Sequence, residues 1–128
     1  MTLMRRVAGS RVAVAVGLAV LVSGCSDRQP SREELTAYTQ VMPPQGEAVT
    51  FFVLTHCGVE YARIGDHWWR AEKPLASDGG GSAPPGWDNP YQEGRLTLDS
   101  EQRAVFEAEG DEVVFLRTAG DAEPPGCA

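Results

Sequence analysis

Phe51-Phe52-Val53-Leu54-Thr55-His56-Cys57-Gly58 is the densest aromatic and β-branched run of the chain outside its N-terminal segment. A strand with one wet face alternates apolar and polar residues, but Phe51 to Leu54 is apolar at every position. The run therefore reads as a strand covered on both faces. On that reading it is the central strand of a sheet, and His56-Cys57 stands at its end.

Upstream, Ser31-Arg32-Glu33-Glu34 matches a capping box, in which the serine hydroxyl and the glutamate three residues on satisfy each other's backbone donors. A short helix from Arg32 to Val41 follows, with Leu35, Tyr38, Val41 and Met42 at helical spacing. Pro43-Pro44 ends it, because the residue before a proline is pushed out of the helical region.

Downstream, Val59 to Ile64 and His67 to Glu72 read as strands joined by Gly65-Asp66, a two-residue hairpin with glycine at its first central position. Trp68 and Trp69 are adjacent on the second of these, so they point to opposite faces. One belongs to the core and the other is partly exposed. Lys73 to Gly94 is the least regular stretch. Its part from Asp78 to Gly86 is rich in glycine and proline, whereas Trp87 and Tyr91 carry enough apolar area to be pinned on the sheet. It is no phosphate loop, since no Gly-Lys-Ser/Thr ending or helix signal follows.

The last third is a meander of Arg95 to Leu98, Ala104 to Glu107 and Glu112 to Thr118, separated by Asp99-Ser100-Glu101 and Glu109-Gly110-Asp111. Val113-Val114-Phe115-Leu116 is apolar on both faces and reads as an interior strand. The pattern predicts a mainly β fold of about six antiparallel strands in a small barrel or sandwich, with one short N-terminal helix.

The N-terminus sets the address. Three arginines and no acid precede Val12 to Val22, an apolar run of 11 residues. That is short of the roughly 20 that a membrane-spanning helix needs, and it reads as the core of an export signal. Leu21-Val22-Ser23-Gly24-Cys25 resembles the lipobox of bacterial lipoproteins, which implies lipid attachment at Cys25 and loss of residues 1–24. Residues 25–30 then form a lipidated tether, and residues 31–128 a single domain. The expected location is the extracytoplasmic face of the cell membrane, and the expected membrane partner is the lipid bilayer through that anchor.

Loss of Arg5, Arg6 and Arg11 with the leader leaves eight basic residues against 18 acidic ones, a formal charge of −10. Such a surface repels phosphates, which excludes nucleic acid as a partner. With Cys25 taken by lipid, Cys57 and Cys127 remain in an oxidising compartment and are expected to form a disulfide. Its loop covers most of the domain and would contribute roughly 4 kcal/mol on the chain-entropy account. The competing reading makes Cys57 a nucleophile beside His56. Against it stands the cysteine near the C-terminus, and no carboxamide or acid is placed to orient the imidazole.

Thr55-His56-Cys57-Gly58, Pro84-Pro85-Gly86-Trp87-Asp88-Asn89-Pro90, Gly94 with Leu96, and Ala104-Val105-Phe106 before Gly110 to Phe115 together resemble a group of small exported proteins of actinomycetes. The resemblance covers Val49 to Arg117. It implies an exported, envelope-associated setting and carries over no catalytic residue.

Few groups are placed for chemistry. His56, His67 and Asp66 offer too few ligands for zinc, and Asp99 to Glu101 and Asp111-Glu112 fit no calcium-loop spacing. No metal, cofactor or catalytic set is expected. The candidate ligand-binding residues are Trp69 (or Trp68), Trp87 and Tyr91, as an aromatic platform, with His56 beside them. The favoured function is a non-catalytic binding or envelope module that takes a cell-envelope protein or glycan. The alternative is an enzyme or metal-dependent protein that uses His56 and its neighbours.

Overall fold

The computed structural model of the chain describes residues 29–77, 79–120 and 122–126. The leader 1–24, the lipidation site Cys25 and the expected disulfide partner Cys127 lie outside the described residues. Helix α1 spans Arg32–Gln40. Six strands follow: β1 (Ala48–Leu54), β2 (Val59–Ile64), β3 (His67–Leu75), β4 (Tyr91–Ser100), β5 (Arg103–Ala108) and β6 (Asp111–Arg117). They form a sheet in the order β1-β4-β5-β6-β3-β2, with every neighbouring pair antiparallel. The sheet curls into a half-barrel, as the mainly β expectation required.

Short-range chemistry accounts for the hairpins. Ile64 pairs with His67 across Gly65-Asp66, and Ala108 with Asp111 across Glu109-Gly110. All four loop residues have positive φ, between 51° and 78°. Two left-handed residues in a row give the primed turn whose twist matches that of paired strands, so Asp66 as well as Gly65 takes the left-handed conformation. The Asp66 N–H donates to the Thr39 carbonyl, which ties this turn to the end of α1. Ser31 and Glu34 form the capping box read from the sequence.

Alternation sorts the side chains. Phe51, Val53, Ile64, Trp69, Ala71, Leu96, Phe106, Val113 and Phe115 turn inward and are buried. Gly94 is required among them: a Cβ there would come within 2.4 Å of the Phe106 ring and 2.5 Å of the Glu107 carbonyl. Side chains thus fill the concave interior, as in other small barrels, and any binding site must lie elsewhere.

One expectation is corrected. Among the described residues β1 is an edge strand, paired with β4 alone, and not the central strand. Its outward face is apolar at Phe52 because α1 covers it there: the Tyr38 and Phe52 ring centroids lie 5.3 Å apart. A helix on one face and the core on the other leave the same apolar signature as burial within a sheet. β6 is interior as read, between β5 and β3, although its outward Leu116 is 41% exposed.

Candidate functional site

The two sequence motifs of the central region pack against each other. Thr55 and Gln92 are buried polar side chains, and between them they hold the backbone C=O and N–H of Asp88. The Thr55 hydroxyl donates to the Asp88 carbonyl, and the Asp88 N–H donates to Gln92 Oε1 at 2.8 Å. The Thr55 N–H reaches the Pro90 carbonyl at 2.8 Å, and the Cys57 N–H reaches that of Ser82. Burying such groups without partners costs several kcal/mol, so this clamp fixes the connection between β3 and β4 to the end of β1. Gly58 completes the corner. Its φ is 92°, and a Cβ there would lie 2.5 Å from the Leu75 carbonyl.

His56 sits on the outside of this corner. Its Nδ1 lies 3.4 Å from Asn89 Oδ1, and Asn89 Nδ2 donates to the Gly81 carbonyl. The fold therefore supplies the carboxamide partner that the sequence reading found missing, from 33 residues away. The ring also packs on Gly81, where a Cβ would fall 2.7 Å from Cε1. This contact makes the imidazole a clasp between β1 and the glycine-rich segment.

The aromatic platform drawn from Trp69, Trp87 and Tyr91 is not assembled. Trp69 is wholly buried and donates its indole N–H to the Ile64 carbonyl. Trp87 is 7% exposed, packs on Phe106 and donates to Asp111 Oδ2 at 3.2 Å. Of the adjacent tryptophans it is Trp68 that faces outward, with the Arg63 guanidinium 5.6 Å from its ring centroid. Strand parity could place the pair on opposite faces but could not say which one was inside.

Metal-ligand chemistry is not gathered either. Among the described residues no three of His, Cys, Asp and Glu come together. His56 precedes β2 and His67 follows it, with about 20 Å of strand between them. Asp99 pairs with Arg103, and Asp111 serves Trp87.

What the fold does build is a hollow of about 700 Å³ at the open side of the half-barrel. Its rim comes from α1 (Leu35, Thr39), from Phe52-Val53-Leu54 of β1, and from Glu60-Tyr61-Ala62-Arg63 of β2. Trp68, Tyr91 and His56 reach it too, and Pro124 and Pro125 border it. Consecutive strand residues point to opposite faces, so a cavity bordered by three or four in a row lies against the edge of that strand. The hollow is thus the gap between the outer edges of β1 and β2.

Its volume falls in the range of ligand sites, and its walls combine aromatic rings with a few polar groups. Glu60 at the rim is paired with Arg70 at 3.3 Å, and Arg63 with Asp66 at 3.4 Å. At one end of the gap, Gln29 donates to and accepts from the backbone of Tyr91, which docks the segment expected as tether. Tyr91 and His56 of the candidate set therefore share one site with Trp68, while Trp69 and Trp87 belong to the core. Compared with protein-family models, with curated proteins and with solved structures, the chain matches none.

Proposed function

We propose that the protein is a lipid-anchored binding module on the extracytoplasmic face of the membrane, held there by Cys25, and that the gap between β1 and β2 is where it takes its ligand. The observation that carries this reading is the hollow itself: the interior is filled, and the remaining concave surface is bordered by Tyr61, Trp68 and Tyr91. Aromatic side chains offer contact area with a polar handle and are enriched where proteins bind partners. The formal charge of −10 for the processed chain favours partners with a positive or neutral face. Gln29 docks on Tyr91, so a tether from Cys25 begins beside the gap and would present it near the membrane surface.

Closure by a Cys57–Cys127 disulfide belongs to the same proposal. The residues up to Gly126 border the hollow together with Cys57, which supports a bridge at that end. Mass spectrometry of the protein from membranes should find diacylglycerated Cys25 and a Cys57–Cys127 peptide pair. A photoreactive residue at Trp68 should crosslink an envelope component in cells, while one at Val105, on the outward face away from the gap, should not. Equal labelling from both positions would end the assignment of the gap.

The alternative reading, chemistry at His56, draws on its contact with Asn89. A His56→Ala variant that binds its partner with unchanged affinity and lacks a turnover seen in the parent protein would favour catalysis.

A further inference from the structure

The gap is bounded by backbone on two sides, and this says more about the ligand than the side chains do. Thr55 donates its N–H towards β4, to the Pro90 carbonyl. In an antiparallel ladder, neighbouring residues direct their N–H and C=O to opposite sides. Leu54 therefore turns its own N–H and C=O into the gap, and the residue is 47% exposed.

The two outer edges are not equivalent. β2 carries the charged Glu60 and Arg63, and charges on an edge discourage strand pairing. From Val49 to Leu54, β1 has neither charge nor proline nor bulge. An edge of that kind is a template for another strand unless something covers it.

The chain's own C-terminal segment lies at the gap but cannot supply that strand. Pro124 and Pro125 have no N–H to donate to a ladder. Pro124 is partly buried, while Ala122, Glu123, Pro125 and Gly126 are exposed. The segment shields the edge without pairing to it.

We infer that the β1 edge at Leu54 receives an extended, basic polypeptide segment of a partner protein, added as a strand beside β1. This inference rests on the gap being the ligand site. It names the partner's chemistry: main-chain hydrogen bonds to the edge supply affinity, and alternate side chains meet Tyr91 and Tyr61 at the rim. Basic residues are selected because the processed domain carries a charge of −10, with the exposed Glu123 at the rim.

The test uses the full processed chain and a short synthetic peptide that alternates valine and lysine. A second peptide of the same sequence carries N-methyl groups on alternate backbone nitrogens. Binding is read by Trp68 fluorescence and by amide exchange. The first peptide should bind and slow exchange at Leu54, and the N-methylated one should bind at least about tenfold more weakly, since each ladder bond is worth about a factor of ten.

Leu54→Pro removes the N–H that faces the gap while leaving the bonds to β4 in place, and it should weaken binding by a similar factor. Should that variant fail to fold, Leu54→Lys places a charge on the edge and should repel the same peptide. Equal affinity for the two peptides would overturn strand addition. Absence of peptide binding, with crosslinking at Trp68 retained, would overturn it too while leaving the gap as the binding site. Loss of both would remove the gap assignment as well.

Discussion

Three glycines separate backbone strain from steric contact, and alanine at each should give three different losses. Gly110 has φ 78° and open space where a Cβ would project, so Gly110→Ala meets only the left-handed penalty, about 1–2 kcal/mol. Gly94 lies outside the left-handed region, but its Cβ would fall 2.4 Å from Phe106 and 2.5 Å from the Glu107 carbonyl. Forcing a methyl into such a site costs about 1–3 kcal/mol. Gly58 combines both: φ is 92°, and the Cβ would meet the Leu75 carbonyl at 2.5 Å and the Ser77 nitrogen at 3.1 Å. These are backbone atoms and cannot rotate away.

The two terms act on one residue, so Gly58→Ala should lose about 2–5 kcal/mol, a large part of the roughly 5–15 kcal/mol of a small domain. Urea unfolding followed by tryptophan fluorescence measures this. With m about 1–3 kcal/mol/M, a 3 kcal/mol loss moves the midpoint by about 1–3 M. Gly110→Ala should move it about half as far or less. Equal shifts for Gly58→Ala and Gly110→Ala would show that the corner at Gly58 is not closed on Leu75, and the packing of the His56-Cys57-Gly58 turn would have to be redrawn.

Asp111→Ala takes the acceptor from the Trp87 indole N–H, which is mostly buried, and should cost about 1–3 kcal/mol in the same assay. Thr55→Val keeps the shape but removes the hydroxyl bonded to the Asp88 carbonyl; a loss of about 1–2 kcal/mol should come with faster amide exchange from Trp87 to Tyr91 and unchanged exchange in β5. Ser31→Ala breaks the capping box and should lower α1 helicity at a cost of about 1 kcal/mol, with the exchange of β4 to β6 unaffected because α1 has no buried residue. Reduction of the proposed Cys57–Cys127 bridge should lower stability by up to roughly 4 kcal/mol, while an unchanged urea midpoint after reduction would remove the bridge from the account.

The local parts of the fold were legible because each had a local cause. The capping box at Ser31 and Glu34, the turns at Gly65-Asp66 and Glu109-Gly110, and the inward row of Ala104 and Phe106 all follow from spacing within a few residues. The rank of β1 did not follow, because its second cover is Tyr38, on another element. The stretch from Lys73 to Gly94 looked the least regular for a similar reason. Its acceptors are the main-chain carbonyls of Gly81, Ser82, Asp88 and Pro90, and carbonyls are the same in every sequence. Asn89 beside His56 was hidden by distance along the chain, and Trp87 was legible as anchored but not as part of the core.

The gap could not be read at all, and the reason bears on what it is for. With an even number of antiparallel strands, β1 and β2 run in opposite directions and could have closed the barrel by pairing with each other. Pairing would have satisfied both edges at little entropic cost, since only Thr55 to Gly58 separates the strands. Instead that link is committed elsewhere. Thr55 and Cys57 spend their N–H groups on Pro90 and Ser82, Gly58 is held against Leu75, and α1 lies across β1 and β2. These contacts hold the link away from a β1–β2 ladder, and Cys57 and Gly58, with His56 and Tyr91 beside them, border the hollow that results. A seam kept open by hydrogen bonds, with charges on one edge and an uncharged, regularly paired strand on the other, has the asymmetry expected of a surface that admits one strand on one side and refuses it on the other.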